Sequence, residues 1–463
     1  MTKKFYRVTI EIPKPKSKRI RDPLVPLCGR MEMNMEEKRS YDSYLTDDNL
    51  VFIENEYIRI GANLALGGAL TYLAEKGNKN LINSHDWGRQ VQMSFYNAPV
   101  PYQPEGSQMA ECWKFIGWNP IQSGDYYRNR SRVLEHKVSE NEIYVKCIPM
   151  HWPLNNYPGE CTFEVWYRLD GYKVNVTSAI NMDRPDKTQY EGRHQELPAV
   201  YTNGEWYKGV SYVGKKPFTG DKLTELVTKE NGLGWPWLNI YPTENWSALV
   251  DDNNYGLGIY IGFTSLSKIG FAGHEKKGLG GPRDDQTGYI APLAPEILDH
   301  NITYSYDYSL IVGQLDFIRA TAAELHKKTN NRYCFDKNRD HFCYKNITDN
   351  GYPTSGCLDF DFKEGSELKS PPRFFDNDSC KTISLEACFE GEIKGDAICH
   401  LYDGLDEKNC GTTHNFAIPF AIKGDGEKRI YDLDISAAPD CFIGFSLRFA
   451  CEGHLKVYSV EVK

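Results

Sequence analysis

Thr162-Phe163-Glu164-Val165-Trp166-Tyr167-Arg168-Leu169-Asp170-Gly171-Tyr172-Lys173-Val174-Asn175-Val176-Thr177 is two β-rich runs joined by an Asp-Gly pair. Branched and aromatic side chains favour a pleated strand, and Asp-Gly favours a tight reversal. The same grammar recurs along the chain. Ile143 to Ile148 is a short β-branched run, and Pro158-Gly159 marks a turn before the next strand. Phe52 to Ile60 is β-rich and ends at a glycine. Leu249 to Ile261 reads as a hairpin with Asp251-Asp252-Asn253-Asn254 at its tip, and Tyr304 to Val312 as a further strand. One stretch differs: Leu315, Ile318, Ala322 and Leu325 recur at helical spacing within Gln314 to Lys327. Many short strands with almost no helix predict an all-β protein of sheets packed on sheets.

The chain has 463 residues, and a single core rarely grows past about 250–300 residues. Its composition changes partway. All nine Trp lie between Trp87 and Trp246, whereas nine of the 13 Cys follow Asn331. After Asn331 the apolar residues alternate in Ile383 to Phe389, in Ile443 to Cys451 and in Leu455 to Val462. These shifts predict an N-terminal extension at 1–45, a large sandwich at 46–328 and a smaller, jelly-roll-like, Cys-rich β-sandwich at 329–463.

The net charge of −9 argues against a nucleic-acid partner, because such binders carry a basic face. The run Lys14-Pro15-Lys16-Ser17-Lys18-Arg19 reads as a solvated tail. No stretch of about 18 apolar residues predicts a membrane span. Met1 to Arg7 lacks the apolar run of a signal peptide, so a cytoplasmic location is expected, or a secreted one if a leader was removed. No CxxC pair suggests a zinc ribbon, and the cysteines read as free thiols. No metal or cofactor is expected.

Aromatics make up 13% of the chain, with 30 Tyr, a composition that suits both sheet burial and stacking on sugar rings. Five segments combine aromatics with hydrogen-bonding groups. Asn83 to Tyr96 carries Arg89, Gln92 and Tyr96, with Gln90, Gln92 and Ser94 on one strand face. Trp118 to Tyr127 offers Trp118 and Asp125, the latter a sugar ligand, an acid–base group or simply a turn residue. Met150 to Glu160 contains His151, read as structural, and Trp152 as a stacking platform. In Gln189 to Gly204, an extended backbone puts His194 and Glu196 on one face, where they divide acid and base roles or form a surface ion pair. Arg193, Tyr201 and Trp206 frame them. The glycine-rich stretch Phe271 to Asp285 carries His274 on a lid or a plain flexible loop. Trp235-Pro236-Trp237 is a compact aromatic unit suited to a cleft wall.

Residues 48 to 320 resemble the galactose-mutarotase-like β-supersandwich superfamily. The resemblance rests on Asn55-Glu56-Tyr57-Ile58-Arg59-Ile60 with Gly67-Gly68-Ala69-Leu70-Thr71-Tyr72-Leu73, on Glu244 to Asp251 with Gly256 to Tyr260, and on Tyr304 to Gly313. It implies a carbohydrate partner and a His acid with a Glu base, without assigning either to a numbered position here. The last 130 or so residues look like a carbohydrate-binding-type sandwich, although they contain no Trp. Three readings follow. The first is a hydrolase or lyase acting on glycosidic bonds, with Glu196 and His194 as acid and base and His274 and Asp125 assisting. The second is a sugar epimerase or mutarotase. The third is a non-catalytic glycan-binding protein.

Overall fold

The computed structural model describes residues 49–235, 237–404 and 411–463. The extension at 1–45, the Lys14–Arg19 run, Pro236 and Cys410 lie outside the described residues. The protein is all-β: the described residues form four antiparallel sheets and one α-helix, Leu315–His326.

The first two sheets pack face to face. One has ten strands, running in space through Leu50–Glu54, Ile58–Asn63, Ala69–Glu75, Val91–Ser94, Arg193–Asn203, Thr287–Glu296, Ser267–Ala272 and Leu238–Ile240, with two short strands at its side. The other has nine strands and contains the opening hairpin, Cys161–Asp170 paired with Lys173–Met182 around Gly171, whose φ is 59°. Side chains alternate across a strand, so each sheet sends every second residue inward. Phe163, Val165, Tyr167, Val174 and Val176 come from the nine-stranded side, and Ile60, Leu70, Leu73, Val91 and Met93 meet them from the other.

Phe52 to Ile60 is a hairpin rather than one strand. The chain reverses at Asn55, whose Oδ1 accepts from the amides of Tyr57 and Ile58, both at 2.8 Å. An Asx turn of this kind competes with the strand ladder and wins here. Gly67 and Gly68 form the next reversal with φ of 62° and 80°. A Cβ on Gly67 would lie 2.1 Å from the Gln122 carbonyl, so only glycine fits.

The helix lies on the outer face of the nine-stranded sheet. Ile318 and Ala322 bury against Trp246, Ala248 and Ile311, and Arg319 forms a forked ion pair with the fully buried Glu244, at 2.7 and 3.0 Å.

Among the described residues, no strand is shared between the sheets before this helix and those after it. The later sheets have five and six strands and enclose Phe360, Leu385, Phe445, Leu447 and Val457. The two sandwiches dock through buried polar groups. Arg339 pairs with Asp299 at 2.6 Å and Asp349 at 2.8 Å, and Gln189 donates to both carboxylates. His341 stacks on Phe263 at 3.6 Å and hydrogen-bonds Glu296 at 2.7 Å. Cys112 aside, the described cysteines are free thiols, and no described helix is long and apolar enough to cross a membrane.

Candidate functional site

The outer face of the ten-stranded sheet carries a cleft of about 640 Å³. Its floor follows from alternation. Val91 and Met93 point into the core, so Gln92 and Ser94 point into the cleft. In the neighbouring strand Leu197 is in the core and His194 and Glu196 face outward. Alternation alone would then bury Tyr201. It does not, because the strand carries a bulge at Pro198: Glu196 pairs with Ser94 and Ala199 with Gln92, three positions against two. The extra residue reverses the phase, so Ala199 and Tyr201 join Glu196 in the cleft while Val200 enters the core. Proline suits the bulge because it has no N–H to offer the ladder. Thr287 and Leu293 of the next strand, and Lys268 and Ala272 of the one beyond, complete the floor.

Glu196 is the best-anchored group. Tyr96 Oη donates to its Oε2 at 3.0 Å and Tyr289 Oη to its Oε1 at 2.5 Å. Burial first, and then the Glu196 charge, push both phenols well above their ordinary pKa, so both remain donors. Gln195 fixes the strand from behind by exchanging hydrogen bonds with the backbone of Tyr96, at 2.7 and 2.8 Å. Tyr289 is packed between Trp237, stacked at 4.6 Å, and Tyr201 at 4.9 Å. His194 reaches solvent, yet protein atoms crowd its ring. That partial burial, with the Lys268 cation, lowers its pKa, so a proton held there is given up readily.

Aromatics form the walls. Trp113 lies 5.9 Å from Trp152 and 6.0 Å from Phe115 on one side, and Tyr126 backs Trp152 at 5.8 Å. Trp235 and Trp237 stand on the other, Trp235 half exposed. Flat apolar faces beside hydrogen-bonding groups are what the two sides of a sugar ring require. Arg89 closes one end, held by Asp86 and Asp285, each at 3.1 Å. Burial pulls its pKa down and these carboxylates more than offset it.

Ten of the residues singled out in the sequence thus share one cleft: Arg89, Gln92, Tyr96, Trp152, Arg193, His194, Glu196, Tyr201, Trp235 and Trp237. Gln92 spends its amide on the carbonyls of Trp87 and Arg89 and accepts from Ser123 N, so it braces the floor. Gln90 leaves the strand, with a φ of 77°.

Four other residues lie elsewhere. Asp125 is fully buried and occupied by the amides of Asn129 and Asn156, so it caps a loop. Trp118 is fully buried and donates to Glu160 at 3.0 Å. Trp206 is packed in the core. His274 is exposed on a 3-10 turn, His274–Lys276, and does not line the cleft. His151 belongs with Trp118, because its Nε2 meets Glu160 at 3.0 Å beneath Tyr102, which also bonds Glu160. Trp113, Phe115, Lys268 and Tyr289 were missed in the sequence. Only Trp113 and Phe115 carried a signal there, as aromatics near Trp118. Lys268 and Tyr289 lie in ordinary-looking strands. Among the described residues, no three His, Cys, Asp or Glu side chains are grouped to hold a metal.

No family model and no curated protein matches the chain. Solved structures of similar fold exist. A galactose mutarotase related enzyme from Lactobacillus acidophilus is 11% identical, with a TM-score of 0.38, over 57% of this chain and 97% of that one. A galactose mutarotase-like protein from Lactobacillus casei is also 11% identical, with a TM-score of 0.36, over 57% and 99%. A 4-alpha-glucanotransferase from Thermococcus litoralis is 11% identical, with a TM-score of 0.29, over 57% and 37%. The functional reading rests on the cleft itself.

Proposed function

We propose that the cleft binds a saccharide and transfers protons on it, with Glu196 as base and His194 as its acid partner, in the manner of a sugar epimerase or mutarotase. The observation that carries this is the Glu196 carboxylate, gripped by two phenols on the floor of an aromatic-walled cleft, with His194 on the same strand face. Two positioned groups that give and take a proton across one ring suffice for ring opening and closing.

Hydrolysis by paired carboxylates fits less well. It needs a second carboxyl group free to act. The other carboxylate lining the cleft is Asp86, which is committed to Arg89 at 3.1 Å and to the Gly88 amide at 2.9 Å. A lyase remains as a second reading, favoured by the aromatic walls on both sides of Glu196, which suit a ligand longer than one ring.

The test is direct. Wild-type protein is incubated with a panel of aldoses and polysaccharides, and anomeric exchange by NMR, unsaturated-uronate absorbance and new reducing ends are followed together. Exchange that disappears in Glu196→Gln supports the epimerase reading, and uronate absorbance supports the lyase. Saccharide binding with no turnover on any member of the panel leaves a glycan-binding protein.

A further inference from the structure

The aromatic walls of the cleft are carried far apart in the sheet. Trp152 follows the short strand Met150–His151, which pairs with Pro120–Ile121, and that strand pairs with Val91–Ser94 beside the strand of Glu196. On the other side Trp237 precedes Leu238–Ile240, which pairs with Ser267–Ala272, and that strand pairs with Thr287–Glu296, the second neighbour of the Glu196 strand. Each wall therefore arises three strand-to-strand steps from Glu196, about 14 Å along the sheet.

Both indoles lean inward, and a glycine receives each. Lys268 and Ala272 face the cleft, so Gly270 between them presents the same face. A Cβ on Gly270 would come 2.5 Å from Trp237 Cε3, so that ring lies on bare backbone. A Cβ on Gly88 would come 3.1 Å from Trp152 Cη2. Gly270 is two steps from the Glu196 strand, and Gly88 leads into the strand one step away on the opposite side. The two seats are thus three strand lines apart, about 14 Å even after the lean. Stacking sets ring face against ring face with atoms within about 4.5 Å, and a pyranose is little wider than one strand step, so a single hexose fills the space beside one wall only.

The rims extend both walls. Phe115, beside Trp113 at 6.0 Å, and Trp235 are each half exposed and line the cleft. Between the walls the floor carries the short side chains Ser94 and Ala199 on either side of Glu196. The volume of about 640 Å³ belongs to sites that enclose ligands larger than one hexose.

We propose that the saccharide is a chain of at least three rings rather than a free monosaccharide. It lies across the strands with one ring over Glu196 and its neighbours stacked on Trp152 and on the Trp235–Trp237 wall. This rests on the saccharide reading of the cleft.

Length series test it on the full chain by calorimetry and tryptophan fluorescence, using gluco-, xylo-, manno- and galacto-oligosaccharides of one to six rings. In at least one series, affinity is expected to rise about tenfold or more between one ring and three, then to level off once both walls are covered. Trp152→Ala and Trp235→Ala should each remove most of that rise while leaving binding of the single ring within about threefold. If a variant does not fold, the wild-type length series carries the test alone. Equal affinity from one ring to six, binding of single rings only, or a rise untouched by either variant overturns the chain assignment and leaves the saccharide reading standing. Absence of binding in every series overturns the saccharide reading and this assignment with it.

Discussion

Glu196 owes its position to partners that are far apart in the chain: Tyr96 is 100 residues before it and Tyr289 is 93 residues after it. A Gln in its place keeps the shape and loses the carboxylate that the proposed reaction uses as its base. Glu196→Gln is therefore expected to lower turnover by about a hundredfold or more while saccharide affinity changes little, measured as kcat against binding by calorimetry. A second, partly buried carboxylate contributes to acid stability. The Glu160 carboxylate resists burial but accepts bonds from His151, Trp118 and Tyr102, and its pKa is lowered. Burial lowers that of His151 and keeps it neutral. Both folded values lie below the ordinary ones, 4.5 and 6.5, so the unfolded chain takes up these protons first. Their stabilisation is complete above pH 6.5 and is lost as the pH falls through and below 4.5. Melting temperature should fall on acidification, and Glu160→Gln should be less stable at neutral pH with a shallower acid slope.

The strand Arg193–Asn203 shows how much one element can carry. The His194–Glu196 pair was readable, because a period of two puts such residues on one face. The return of Tyr201 to that face was not, because the bulge that reverses the phase is set by pairing with two neighbouring strands. The turn after this strand holds the loop that carries Asp285, the partner of Arg89. Gly278 N donates to Gly204 O at 2.9 Å, and a Cβ on Gly204 would lie 1.8 Å from the Leu279 carbonyl. Gly204→Ala should destabilise the protein by about 1–3 kcal/mol and weaken saccharide binding by displacing this loop, read by thermal melting and titration. Among the wall aromatics, Trp152→Ala removes a platform without touching Glu196. Its effect should be about tenfold on affinity with the proton-transfer step preserved at saturation.

For the whole molecule, the contact between the sandwiches depends on Arg339. It is 5% exposed and serves Asp299 of the first sandwich and Asp349 of the second. Replacing it with Met leaves two buried carboxylates facing each other without a cation. Breaking such a pair costs about 3–5 kcal/mol, so Arg339→Met should melt earlier. Differential scanning calorimetry would then resolve the first sandwich from the second, and an unchanged single transition would contradict this role.

Most of the strands, the helix Leu315–His326 and the change in composition near Asn331 were determined by sequence alone, because alternation, turn residues and helical spacing act between near neighbours. Tyr289, Lys268 and the pairing of Arg339 were not legible there, since each acquires its role from residues that only the packed sheets bring near. Tertiary structure also set apart Asp125, Trp118, Trp206 and His274 from the cleft. Polar or aromatic identity does not say which face of a sheet, or which side of a loop, a residue will occupy. That is decided by register, and register is decided by the neighbouring strands.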